Sequence, residues 1–250
     1  MIFYSGSVTN WIFLLVFSQL CVAPCFGQSY PGWFLNPSEI ECEKIAVGFA
    51  NPSFYPDSAA SYAIRNGYEN FVRQNRTEIK GGQAFWNTEA GMYWMGSSFT
   101  ERFDSTRIDR AATSLIPVDT LATEHFVAVL LADPGCRLEN QSGNHQSPVD
   151  LPEPSWIEGP PRDRSYDYAV GLAPEYYYES SSWREAEMLA RRNLARTVYT
   201  KMQVLQKIGA QGQEILNEEL SVVLRNMEVV SRWRDQEEKF FYVLIRMPKQ

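Results

Sequence analysis

Two stretches of this 250-residue chain repeat one another at a constant spacing of 123 positions. Pro31-Gly32-Trp33-Phe34 is echoed by Pro154-Ser155-Trp156-Ile157, and Ala46-Val47-Gly48-Phe49-Ala50 by Ala169-Val170-Gly171-Leu172-Ala173. Ala63 and Asn70 return as Ala186 and Asn193. Toward the end Phe126-Val127-Ala128-Val129-Leu130-Leu131 matches Phe240-Phe241-Tyr242-Val243-Leu244-Ile245, now 114 positions apart, so the copies differ in length in their middles. A repeat near 120 residues has the size of a small domain, and recurring apolar, Gly and Pro positions speak of architecture before chemistry.

Each copy begins with a short apolar run, Ile45 to Ala50 and Tyr168 to Ala173. Both are too short for helices and read as strands, and the Gly inside each predicts a helix backbone packed closely against it. A helix follows in both. In the second copy Ser182 and Glu185 form a capping-box pair, and Trp183, Ala186, Ala190, Leu194, Val198, Met202, Leu205 and Ile208 keep helical spacing until Gly209. In the first copy Asp57 or Ser58 caps a shorter helix whose inner face holds Ala60, Ile64, Gly67, Phe71 and Val72. The middles diverge: a second helix is expected near Glu214 to Met227, and a short one near Glu101 to Ala112. Both copies close with hairpins, Ser114 to Leu121 with Phe126 to Ala132, and Met227 to Trp233 with Phe240 to Met247. The fold class is α+β, with two tandem, related β-α-(α)-β-β units whose helices pack on one face of small antiparallel or mixed sheets. The units span 28–134 and 154–250, and the polar stretch 135–153 joins them as a linker.

No charged side chain precedes Glu39. The apolar run from Trp11 to Phe26 is broken by Ser18 and Gln19 and falls short of the ~20 residues of a spanning helix. Residues 1–27 therefore read as a cleaved export signal, and the protein as exported to the periplasm, the outer membrane or the medium. A rival cleavage site before Cys25 makes that residue a lipidation candidate, although Pro24 departs from the usual box. Residues 28–134 carry 8 basic and 13 acidic side chains and 154–250 carry 14 of each. Neither half has the basic excess that phosphate backbones or anionic membranes require, so no nucleic acid is expected, and membrane contact only through a lipid anchor. Cys42 stands just before the first strand of its unit and Cys136 just after the last. Adjacent antiparallel strands would bring these two together, and they are the disulfide candidate.

Motifs of catalysis are missing: no HExxH, GxSxG, Walker loop, GxGxxG after a strand, or CxxC. His125 falls in a hairpin turn and His145 in the linker, and no metal or cofactor site is expected. The acidic groups Glu39-Glu41-Glu43, Glu214-Glu218-Glu219 and Asp235-Glu237-Glu238 read as solvated faces. Trp33 and Trp156 recur with the repeat and read as core. Tyr176-Tyr177-Tyr178 reads as a loop whose rings cover a helix start. The stretch holding Phe85, Trp86, Tyr93, Trp94 and Phe99 has no counterpart in the second copy and is the candidate interaction surface.

The second unit resembles the bacterial family of small envelope lipoproteins named after a twenty-kilodalton outer-membrane lipoprotein, Lpp-twenty. The likeness rests on Trp156, the strand Tyr168-Ala169-Val170-Gly171, the helix positions Ala186, Ala190, Arg191, Leu194 and Ala195, and Val229-Val230-Ser231-Arg232-Trp233 with Phe241-Tyr242-Val243-Leu244. It covers about residues 154 to 248, with a fainter echo over 31 to 134. The resemblance implies an exported, non-catalytic α+β module of the bacterial envelope, often attached to the outer membrane. The leading expectation is a structural or interaction scaffold that works through contacts with other envelope proteins. Two alternatives from the residues stay open: a carbohydrate or peptidoglycan binder using exposed aromatics, and an envelope hydrolase using Asp and Glu alone.

Overall fold

The computed structural model describes residues 30–53, 55–88, 91–138, 145–146, 152–207 and 217–249, with the backbone alone at 56, 83–88, 91–97, 145–146, 201–207 and 217–219. The first unit runs β1 (Tyr30–Pro31), α1 (Gly32–Leu35), β2 (Ile45–Ala50), α2 (Pro56–Asn75), β3 (Arg76–Thr88), β4 (Gly91–Arg102), α3 (Ile108–Ser114), β5 (Ile116–Ala122) and β6 (Val127–Ala132). After β7 (His145–Gln146) the second unit runs β8 (Tyr166–Pro174), α4 (Glu179–Lys207), β9 (Asn217–Arg225), β10 (Glu228–Asp235) and β11 (Phe240–Pro248). The architecture is α+β, built on three small antiparallel sheets.

Two of the sheets have one plan. In the first unit the order is β2-β6-β5 and in the second β8-β11-β10, so β2 and β8 each lie beside the last strand of their unit. The local contacts match across the 123-position spacing. Asn70 Nδ2 donates to Val47 O at 2.9 Å, and Asn193 Nδ2 donates to Val170 O at 2.8 Å. Both amides cap a strand carbonyl from the helix above. A β-carbon on Gly48 would fall 2.6 Å from Gly67 Cα and nearer still to Ala63 O; one on Gly171 would fall 2.9 Å from Ala190 Cα and nearer still to Ala186 O. The glycines let helix and strand backbones touch.

The units are not separate bodies. Strand β3 of the first pairs along Arg76 to Ala84 with β9 of the second, giving a third sheet β4-β3-β9 assembled from both. One buried cluster also spans them, from Val47, Phe49 and Phe126 through Tyr30, Trp33 and Phe34 to Trp183, Ala186 and Phe241. The segment Tyr30 to Leu35 fills the join and is almost wholly buried. Phe34 stands 5.1 to 6.3 Å, ring centre to ring centre, from Tyr30, Trp33, Phe49, Phe126 and Trp183. Burial on both faces explains why β6 reads Val-Ala-Val-Leu-Leu-Ala without alternation. Val129 and Leu131 pack under α2, while Ala128 and Leu130 face the shared core.

Several sequence expectations are corrected. The helix expected near Glu214 to Met227 is strand β9 from Asn217 to Arg225, with residues 208–216 outside the description. Leu220, Val222 and Leu224 are buried in alternation, a period of two that their pairing with β3 decides. Ser182 does not cap α4, which begins at Glu179; its hydroxyl accepts a hydrogen bond from Tyr176 N at 2.8 Å. In α2 the buried face is Ala59, Ala63, Gly67, Asn70 and Val72, so Gly67 and Val72 stand where expected, while Ala60, Ile64 and Phe71 are half-buried beside it. Trp33 is core, but Trp156 sits half-buried in a surface turn, because the Tyr30 to Leu35 segment fills the join alone. Of the linker 135–153, residues 139–144 and 147–151 lie outside the description, and β7 within it pairs with β1.

Cys42 and Cys136 are joined in a disulfide with Cα atoms 5.4 Å apart. The antiparallel pairing of β2 with β6, Ile45 opposite Ala132, brings them there. The bond closes a loop of 94 positions. Replacing both cysteines with serine is expected to cost about 2–4 kcal/mol through the freed unfolded chain, read as a lower denaturation midpoint in non-reducing buffer.

Candidate functional site

Among the described residues, strands β3 and β4 form a ribbon that runs past their partner β9. Beyond Ala84, which lies opposite Asn217 at the start of β9, Phe85 to Thr88 pair only with Gly91 to Trp94 among the described residues. The register sets Phe85 opposite Trp94 and Trp86 opposite Tyr93, adjacent positions that belong to opposite faces of the pleat. These side chains lie outside the described ones. Phe99 is separate from them. It sits half-buried against the core opposite Gly81, with the guanidiniums of Arg192 and Arg196 at 5.6 and 4.8 Å from its ring centre. Of the five aromatics singled out in the sequence, four mark the ribbon's free end and one fastens its base to α4.

The join between the units holds a ladder of charges that sequence reading missed. Arg232 of β10 is buried, donates to Glu187 Oε1 of α4 at 2.6 Å and to Phe34 O at 2.6 Å, and covers the Phe34 ring at 4.6 Å. Glu187 Oε2 lies 3.8 Å from Arg191, whose Nε stands 2.9 Å from Glu101 Oε1 of β4 at ion-pair distance without hydrogen-bond alignment. Glu101 also faces Arg73 of α2 at 3.7 Å, and Arg73 reaches Glu69 at 3.4 Å. The ladder thus runs through four elements, alternating in sign. Burial, followed by the nearby Arg191 charge, lowers the Arg73 pKa from its ordinary value. The only signal in the sequence was the helical spacing of Glu69 with Arg73 and of Glu187 with Arg191.

A second buried polar group lies at the start of α4. Tyr30 Oη donates to Glu179 Oε1, which also accepts from Trp183 Nε1 at 3.1 Å, and Arg234 stands 3.8 Å from Glu179 Oε2. Burial first, and the Glu179 charge second, raise the Tyr30 pKa well above 10.0. The neutral phenol is therefore favoured in the fold. Its stabilising contribution is complete below the ordinary tyrosine range and is lost as pH rises toward the higher folded value. Stability of the wild type is expected to fall above pH about 10, and Tyr30→Phe to fall less steeply there, measured by urea midpoints across an alkaline series.

Tyr177 is 94% exposed, between half-exposed Tyr176 and Tyr178, and its ring meets that of Tyr178 edge-on at 4.8 Å. His125 lies exposed in the bend between β5 and β6; His145 is placed by backbone only. Glu39, Glu41 and Glu43 are solvated, and Asp235 Oδ1 caps its own turn by accepting from Glu237 N and Glu238 N. Glu218 and Glu219 lie on β9 and Glu214 lies outside the described residues, as does Cys25. Among the described residues no group of three or more His, Cys, Asp or Glu could hold a metal ion. No family model, no curated protein and no solved structure matches this chain.

Proposed function

We propose that the chain is an exported bacterial cell-envelope protein, a non-catalytic interaction module that contacts other envelope proteins through the free end of the β3–β4 ribbon. The observation that carries this reading is the ribbon itself: aromatic positions in register on a stretch that is two-stranded among the described residues, in a segment whose aromatics have no counterpart in the sequence of the second unit. Two-stranded ribbons gain independent stability by packing on something else. The Cys42–Cys136 disulfide supports export, because such bonds persist in oxidising compartments. The resemblance of residues 154 to 248 to the Lpp-twenty family supports the envelope as destination.

The test is a photo-crosslinking side chain placed at Trp86, at Tyr93 and, for comparison, at Tyr177, in bacteria that express and fractionate the protein. Discrete adducts with envelope proteins from the two ribbon positions are expected, with the chain in the envelope fraction. Retention in the cytosol, or adducts no stronger from the ribbon than from Tyr177, would contradict the proposal. The mass of the mature N-terminus separates lipid-bearing Cys25 from a start at Gln28. A second reading, a carbohydrate or peptidoglycan binder, draws on the exposed ring of Tyr177; it requires cell-wall retention to be lost in Tyr177→Ala.

A further inference from the structure

A cleft of about 580 Å³ opens beside the join, between the loop after β2, one face of α2 and the start of α4. Its volume is that of a small-molecule site. Its chemistry is lopsided. Arg65 and Arg73 come from α2 and Arg184 from α4, so both units contribute guanidiniums, and the one carboxylate in the wall, Glu69, is already held by Arg65 at 3.8 Å and Arg73 at 3.4 Å. Arg184 forms no ion pair with any described residue. Asn66 spends its carbonyl oxygen on Phe49 N and Asn70 Nδ2, and Asn51 spends its own on Ser180 Oγ, which leaves both wall amides with NH₂ donors that pair with no described residue. Arg73 also faces Glu101 at 3.7 Å, so one cation is in excess; with two spare amide donors it suits an acceptor-rich, negatively charged group. In a chain whose net charge is -7, such a concentration is local.

A bare anion would fill little of this space. Tyr62, a residue 65% exposed, stands in the same wall. Tyr62, Arg65, Asn66, Glu69 and Arg73 recur at helical spacings of three and four, so one stripe of α2 presents the ring and the donors together. The matching positions of the second unit are Glu185, Met188, Leu189, Arg192 and Arg196, so of the stripe only Arg73 recurs, and with it its contacts to the Asn one turn before it and to a Phe ring. By contrast the contacts that hold the fold, Gly48 with Gly171 and Asn70 with Asn193, recur.

We infer that this cleft binds an anionic sugar, its carboxylate or phosphate gripped by Arg65 and Arg184 and its ring set against Tyr62. The inference is independent of the ribbon. Glucose 6-phosphate and glucuronate are the probes, with neutral glucose as control, titrated calorimetrically into the full mature protein at fixed ionic strength. Saturable binding of either anion is expected, with glucose weaker by about tenfold or more; whichever anion binds tighter identifies the group. Arg65→Gln with Arg184→Gln should weaken binding by about tenfold or more while the melting temperature stays put, both side chains being exposed. Arg164→Gln, an exposed arginine elsewhere, should leave affinity unchanged. Absence of saturable binding up to about 10 mM, equal affinity for glucose, or full affinity in the double variant would overturn the inference.

Discussion

Gly171→Ala is expected to unfold the second unit or strip α4 from its sheet. The added methyl would stand 2.9 Å from Ala190 Cα and closer to Ala186 O and Ala190 N, all backbone atoms of α4. Ordinary overpacking costs about 1–3 kcal/mol because side chains yield by changing rotamer. Here no rotamer can change. The helix must move as a body, and Trp183, Ala186, Ala190 and Leu194, all fully buried on it, would lose their contacts together. The expected loss is about 4 kcal/mol or more, a drop in melting temperature of about 10 °C for a chain of this size. Gly48→Ala should behave alike, since its methyl would meet Gly67 and Ala63 O. Circular dichroism melts of both variants measure this, and a loss below 1 kcal/mol in either would mean that the strand and helix are farther apart than described.

Glu187→Gln should cost nearly as much, for an electrostatic reason. The Arg232 guanidinium is buried with Glu187 as its only carboxylate partner among the described residues. Neutralising that carboxylate leaves a buried cation with neutral acceptors only, the new amide oxygen and the Phe34 carbonyl. Removing one member of a buried pair typically costs about 3–5 kcal/mol, whereas replacing both by apolar residues of like size is often neutral or stabilising. Glu187→Leu combined with Arg232→Met should therefore recover most of the stability lost in Glu187→Gln, measured by urea unfolding of the three proteins. If the double variant is as unstable as the single, the pair stabilises the join through its own attraction, and the burial argument fails.

How much of this was legible in the sequence follows from where each feature is decided. The close approach of helix and strand at Gly48 and Gly171 was legible because a glycine inside an apolar strand has few other uses. The disulfide was legible because the first apolar run and the last of the unit, read as adjacent antiparallel strands, set Cys42 and Cys136 at neighbouring strand ends. Strand β9 was not: Leu220 and Leu224 are four apart and fit a helix equally well, and only pairing with β3 of the other unit settles them as strand. Trp33 and Trp156 looked equivalent, yet one core has room for a single aromatic plug, and Tyr30 to Leu35 occupies it. The charge ladder and the cleft escaped for one reason. Glu69, Arg73, Glu187 and Arg191 lie on helices at spacings typical of solvated faces, and nothing local says that two such faces meet across a join.

That join makes the repeated units one cooperative body, a statement hydrogen exchange addresses residue by residue. Amides of β6 in the first unit and β11 in the second should open with one common free energy, and Glu187→Gln should lower both by the same amount. Opening of β11 while β6 keeps its protection, or a Glu187→Gln effect confined to the second unit, would contradict the shared core and return the chain to two domains on a tether.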